Sequence, residues 1–333
     1  MATHQPVPPP PTSESLEEDE LNQEVRDVIS SLPTVEGWLS HYQGFWIPTK
    51  CMHGVLATQK HLQAHETDIL LATIPKAGTT WLKAILFALV NRVRYLDSQQ
   101  HPLLANNPHT LLPFLETKLF YKKNEVSDLT LLTSPRLFAT HLSYSSLPTS
   151  VKNSTCKIVY VCRNPKDTFV SQWHFQNKVG ALMVTKPVSN SLEQSFNNFC
   201  RGMSVYGPFW DHVLSYWIES LEKPEKVFFL KYEEMKEQPI IHLKRLAEFL
   251  GCSFSPEEEE KGRVNDILKL CSFDNLSNLE INKKGKSSVF GIENASYFRK
   301  GEVGDWKNYL TAQMVERLDC ITEEKFHTVG LKF

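Results

Sequence analysis

DILLATIPKAGTTW, residues 68–81, is the stretch whose reading decides the fold. Asp68–Ile74 is a short, nearly continuous apolar run, the pattern of a strand buried on both faces of a parallel sheet. After PKAGTT the period changes, and Leu82, Ile85, Leu86, Leu89 and Val93 share one face of a helix. Gly78 lets the backbone between them curl tightly, so that the amides of Gly78 to Trp81 point into one space. The helix N-terminus behind those amides favours an anion by its dipole and its unpaired N–H groups. Lys76 adds a mobile positive charge, and Thr79 and Thr80 add hydroxyl donors. The turn therefore predicts a phosphate or sulfate site. It is not the nucleoside triphosphatase loop, G-x-x-x-x-G-K-[ST], which places lysine after its last glycine. Here Lys76 precedes the only glycine of the segment.

Outward from this unit the pattern repeats. Cys156–Cys162 (CKIVYVC) reads as a second buried strand, followed by RNPKD and a helical stretch. Lys226–Lys231 (KVFFLK) reads as a third, with a helix around Ile241–Leu250, and Arg136–Thr140 as a shorter one. Ser255, Pro256 and the acidic run Glu257–Glu260 spell a helix start. Upstream, Leu21, Val25, Val28, Ile29 and Leu32 keep helical spacing until Pro33. Residues 1–20, proline-rich and then acidic, lack the apolar content to fold and are expected to be a disordered tail, leaving 21–333 as one domain. Recurring strand, turn and helix predict an α/β fold, a single domain whose central, mostly parallel sheet is flanked by helices. Ligands of such sheets sit beyond the carboxyl ends of the strands.

Composition narrows the function. A formal net charge of −2 over 333 residues gives no global basic field, so a nucleic-acid partner is not expected and any anion site must be local. The seven cysteines form no C-x-x-C pair and no framework, which predicts reduced thiols. No carboxylate or histidine cluster has metal-ligand spacing, so no metal is expected. The longest apolar run, AILFALV at 84–90, is far below the ~18 residues of a membrane span, and the N-terminus lacks the apolar core of a signal sequence. The expectation is a cytoplasmic enzyme with no membrane partner.

IPKAGTTWLKAI resembles the 5′-phosphosulfate loop of the cytosolic, soluble sulfotransferases, usually YPKSGTTW, and the likeness runs in order from about residue 34 to 333. The plant soluble members are the nearest in phrasing, as in RLFATHLSYSSLP, CRNPKDTFVS, GPFWDHVLSYW and KLCSFDNLSNLEINK. The resemblance implies the sulfotransferase relative of the P-loop kinase fold. It also implies 3′-phosphoadenosine-5′-phosphosulfate (PAPS) as co-substrate and a hydroxyl on a small organic molecule as acceptor. Flavonoids, steroids, hydroxyjasmonate and desulfo-glucosinolates are all acceptors within the family. Residues 76–81 (Lys76, Ala77, Gly78, Thr79, Thr80, Trp81) would take the 5′-phosphosulfate. Arg163 and Ser171 of RNPKDTFVS, with Arg299, Lys300 and Gly301 of RKGEVGDW, would hold the 3′-phosphate, where the planar guanidinium fork suits phosphate oxygens. Trp81, Tyr232, Ser272 and Phe273 would surround the adenine.

The segment A-T-H-L-x-x-x-x-L-P assigns His141 as general base, a role suited to an imidazole that titrates near neutrality. Many animal members carry lysine where this chain has Ala139, which leaves Lys76 as the cation at the bridging oxygen. Ala77 stands where the family usually has serine. Tyr144, Trp173, His174, Phe175, Phe209 and Trp210 are expected as walls of an apolar acceptor pocket. Lys307, Thr311 and Glu316 match part of the family's dimer segment but Ala312 replaces its valine, so a monomer or weak homodimer is expected. A nucleotide kinase would need the triphosphatase loop and a magnesium-holding acid. A binding protein that had lost chemistry would not need both Lys76 and His141.

Overall fold

The computed structural model describes residues 23, 25–35, 37–96, 98–121, 129, 132–183, 191–287 and 290–333; the proposed tail, residues 1–20, lies outside them. The helix expected from Leu21 is seen over residues 25–31. A small antiparallel sheet that the sequence reading missed follows: β1 (Thr34–Val35), β2 (Leu39–Tyr42) and β3 (Phe45–Pro48). Strands of two to four residues are too short to show a period.

The central sheet is β4 (Ile69–Thr73), β5 (Leu137–Thr140), β6 (Lys157–Cys162) and β7 (Val227–Lys231), each within a residue or so of its predicted span. The order is β5-β4-β6-β7 and every pairing is parallel. Alternate residues feed two separate cores. Leu70, Ala72, Ile158 and Tyr160 pack on one face, and Ile69, Leu71, Val159 and Val161 on the other. Burial on both sides is what made these strands continuous apolar runs. Helices cover both faces. Helix α1 (Thr79–Val90) sends Leu82, Ile85, Leu86 and Leu89 into the second core, while α2 (Pro165–Met183) and α3 (Phe209–Glu222) close the first. The Ser255 start is a full capping box, and Glu258 also pairs with Arg92 at 2.8 Å, so the acidic run ties two helices together.

Register places the site. Ala72 pairs with Thr140, Thr73 with Val161, and Cys162 with Lys231, so the four strands end nearly level. The residues that follow them are the turn containing Lys76, then His141, Arg163 and Tyr232. Four segments far apart in sequence thus leave the sheet at one edge.

Candidate active site

A cavity of about 440 Å³ opens at that carboxyl edge. Every residue named from the sequence for catalysis or for the donor lines it except Ala77, whose side chain is fully buried. Lys76, Lys118, Arg163, Lys236, Arg299 and Lys300 line it, and among the described residues no aspartate or glutamate does. In a chain of net charge −2 this is a locally cationic space built for an anion.

The turn after β4 is held in a conformation that few sequences allow. Lys76 has φ 72° and Gly78 φ 113°, both left-handed. A Cβ on Gly78 would stand 2.7 Å from the Tyr232 ring, so the glycine is required by conformation and by space. The first four amides of α1 have no partner within the helix. Thr79 Oγ1 meets Thr73 Oγ1 at 2.7 Å, and Thr80 Oγ1 meets His109 Nε2 at 2.9 Å. Both hydroxyls are thereby fixed in direction. Lys76 Nζ lies 4.2 Å from the centre of the Phe175 ring. Burial, and then the charges of Arg299, Arg163 and Lys178, push its pKa down to about 7.

Three cations gather from two loops on the neighbouring side. Arg163 packs over Tyr232 at 4.6 Å and donates to the Glu302 carbonyl. Asp305, almost wholly buried, accepts from Arg299 and, at 2.6 Å, from Lys300, which holds its carboxyl well below the usual range. Asp167, on the first turn of α2, accepts the amides of Gly304 at 2.7 Å and Trp306 at 3.1 Å, which fastens the 299–306 loop over Arg163. The Nε atoms of both Arg163 and Arg299 are buried without an acceptor. Both residues line the cavity, and a buried guanidinium donor left without an acceptor is costly. Ser171 lines the same space, and Tyr232 donates to the Gly301 carbonyl at 2.9 Å. A Cβ on Gly301, at φ 67°, would meet Phe273 at 2.5 Å. Trp81 and Tyr232 form an edge-on pair with centroids 5.5 Å apart, and both line the cavity. Ser272 caps the helix Phe273–Asn278 by accepting from the Asn275 amide at 3.2 Å, a structural role in addition to lining the cavity.

His141 leaves β5 facing the turn. Its Nδ1 donates to the Thr73 carbonyl at 2.7 Å, which directs the lone pair of Nε2 away from that bond. The main chain on either side is braced. Buried Glu116 accepts from the His141 amide at 2.8 Å and from Thr140 Oγ1 at 3.0 Å, and His212 Nε2 donates to the His141 carbonyl at 2.9 Å. The ring sits against Phe114 and Tyr206, with centroids 4.5 and 5.2 Å away. Burial first, with the nearby charges of Lys83 and Lys76, lowers its pKa to about 3, so the imidazole is neutral at neutral pH.

Of the expected acceptor walls only Phe175 lines the cavity. The helix α2 turns Ser171, Gln172, Phe175, Gln176 and Val179 inward at helical spacing, and Trp173 and His174 fall on its other side against Tyr309. Tyr144 packs on Tyr216, Phe209 lies in the aromatic core beside Phe199, and Trp210 donates to Thr322 at 3.0 Å. Phe114, Val179, Val205, Tyr206, Phe290 and Tyr297 line the cavity as well, from segments with no common motif. The supports Thr73, His109, Glu116 and His212 were also missed. Asp167 and Asp305, by contrast, sit inside the quoted cation motifs, and an acid among those cations was a legible signal.

A family model described as the sulfotransferase domain matches residues 66–330. Cytosolic sulfotransferase 13 of Arabidopsis thaliana is 51% identical over 326 residues, covering 96% of this chain and 97% of its own. Among solved structures, a putative steroid sulphotransferase of Arabidopsis thaliana is similar at a TM-score of 0.75 with 42% identity, over 98% of this chain and 100% of that one. A mouse sulfotransferase solved with PAP is similar at a TM-score of 0.67 with 28% identity, over 87% and 94% of the two chains.

Proposed function

The chain belongs to the sulfotransferase family, and from that premise we propose that it moves the sulfuryl group of PAPS to a hydroxyl of a small organic acceptor such as a plant hormone or secondary metabolite. The observation that carries this reading is the pair of separate cationic sites on one cavity: the amide turn with Lys76, and the Arg163–Arg299 pair with orphaned Nε donors. A nucleotide with phosphate at both ends of its ribose fits two such sites, whereas a simple triphosphate needs one. The mouse relative solved with PAP supports the choice of nucleotide. Relatives named as cytosolic support a cytosolic location.

In this reading the amides of Gly78 to Trp81 and the hydroxyls of Thr79 and Thr80 hold the 5′-phosphate. Arg163, Ser171, Arg299, Lys300 and the Gly301 amide hold the 3′-phosphate. Trp81, Tyr232, Ser272 and Phe273 bracket the base. The acceptor hydroxyl gives its proton to His141 Nε2 as its oxygen bonds to sulfur. The sulfur–oxygen bond to the 5′-phosphate breaks, and Lys76 balances the charge that develops on the bridging oxygen. The neutral resting state of His141 keeps its lone pair available for that step.

The test compares thermal stability with adenosine 3′,5′-bisphosphate and with ATP plus magnesium, followed by transfer of labelled sulfate from PAPS to a panel of hydroxyl compounds. Ligand at a hundred times its Kd adds ~2.7 kcal/mol, which means a rise of about 5 °C. That rise with the bisphosphate alone, and label transfer to any hydroxyl acceptor, is the expected result. Stabilisation by ATP–magnesium alone would replace this reading with a kinase.

A further inference from the structure

Helix α1 carries a single charged residue, Lys83, and buries it completely. Its neighbours Leu82, Ala84, Ile85 and Leu86 are buried as well, and among the described residues its Nζ has no hydrogen-bond partner. Burial lowers its pKa well below the ordinary lysine value, against the pull of the Glu116 carboxylate. An amine in such a place costs stability, and a methionine of nearly equal length would fill it without that cost. What Nζ does meet is the face of Phe114, 3.3 Å from the ring centre. A ring face attracts an ammonium, and attracts the N–H of an amine more weakly.

Phe114 touches both the donor turn's support and the base. Its ring stacks with His109 at a centroid distance of 5.6 Å, and His109 Nε2 in turn meets Thr80 Oγ1 at 2.9 Å. The same ring packs on His141 at 4.5 Å. The main chain of Phe114 is fixed separately, because the Ala139 amide donates to the Pro113 carbonyl at 2.8 Å and Phe114 bridges to Ala139, two residues before His141. What the main chain leaves free is the tilt of the ring. Lys83, one turn along α1 from Thr79 and Thr80, bears on its face.

Resting on the sulfuryl-transfer reading, we propose that Lys83 is a positioning residue, whose amine holds the Phe114 ring at the tilt that aims the His141 imidazole relative to the donor turn. Phe114, His109 and His141 line the cavity and Lys83 does not, so it acts through the ring and touches neither substrate nor donor. A reacting group misplaced by about 1 Å loses roughly 10²-fold in rate. The donor cations lie on other loops, so Lys83 governs kcat and leaves donor affinity alone.

The experiment measures label transfer from PAPS to the best acceptor of the hydroxyl panel, beside Tm and the Kd of adenosine 3′,5′-bisphosphate. Lys83→Met is expected to lower kcat about 10- to 100-fold, with the bisphosphate Kd unchanged and Tm equal to wild type or higher. Phe114→Leu should lower kcat as well, and adding Lys83→Met to it should cost no more than about twofold further. The ring-proton resonances of His141, identified by their loss in His141→Ala, should move in bisphosphate-bound Lys83→Met. A kcat within about threefold of wild type, or losses that multiply in the double variant, would overturn the proposal and leave sulfuryl transfer intact. So would a Lys83→Met chain that unfolds more readily than wild type or does not fold, because the amine would then hold the fold and not the base. Absence of transfer by the wild type to every acceptor would instead sink the reaction itself, and this proposal with it.

Discussion

Donor binding should draw a proton into the site above pH 7. Lys76 sits between a phenyl ring and three other cations, and its pKa falls from 10.5 to about 7. At pH 8 about nine-tenths of free enzyme then carries it neutral. A phosphate about 4 Å away contributes ~4 kcal/mol at an effective dielectric of 20. That is roughly three pKa units, enough to restore the ammonium. Binding adenosine 3′,5′-bisphosphate should therefore take up about 0.9 proton at pH 8 and about half a proton at pH 7, and affinity should fall almost tenfold per pH unit above 8. The bisphosphate's own second ionisations lie near pH 6, below this window. Calorimetry in buffers of different ionisation heat reads the uptake directly, and Lys76→Met should abolish it. Uptake below about 0.2 proton from pH 7 to 9 with flat affinity would refute the reasoning, because it would mean that Lys76 stays charged in the free site.

Removing the base in His141→Ala should cut turnover about 10²–10⁴-fold with the bisphosphate Kd nearly unchanged, since the donor cations lie on other loops; turnover within about threefold of wild type would exclude the role. In Gly301→Ala the new Cβ meets Phe273 at 2.5 Å at a positive φ, so a loss of about 1–3 kcal/mol, seen in Tm and in a weakened donor Kd, is expected. His212 is fully buried and neutral, donating to the His141 carbonyl and accepting from Tyr160, with a pKa lowered to about 4. A histidine depressed on folding favours the unfolded chain once that chain protonates. Its contribution is thus complete above pH 6.5 and is lost as pH falls towards 4, at about 1.4 kcal/mol per unit. Denaturant unfolding that is flat between those limits would contradict the assignment.

The sequence by itself determined the sheet, because a strand buried on both faces must be a continuous apolar run, and β4, β6 and β7 are such runs. It also carried both proposed anion sites, because Gly78, Gly301 and their neighbouring cations need particular backbone angles and charges that appear as local motifs. The short strands β1 to β3 left no period to read. What only the tertiary structure decided is which other side chains face the cavity. The spacing along α2 offered Trp173, His174 and Phe175 equally, and only the packing of that helix against Tyr309 turned the first two away. Thr73, Glu116 and His212 converge on His141 from three separate segments through hydrogen bonds, two of them to its main chain. Phe114 and Lys118 reach the same wall from a turn with no motif of its own. The proposed donor sites rest on backbone amides and fixed charges, which a few adjacent residues can encode. The remaining cavity wall is a surface assembled from side chains distant in sequence, and its composition exists only once the sheet has brought their segments to one edge.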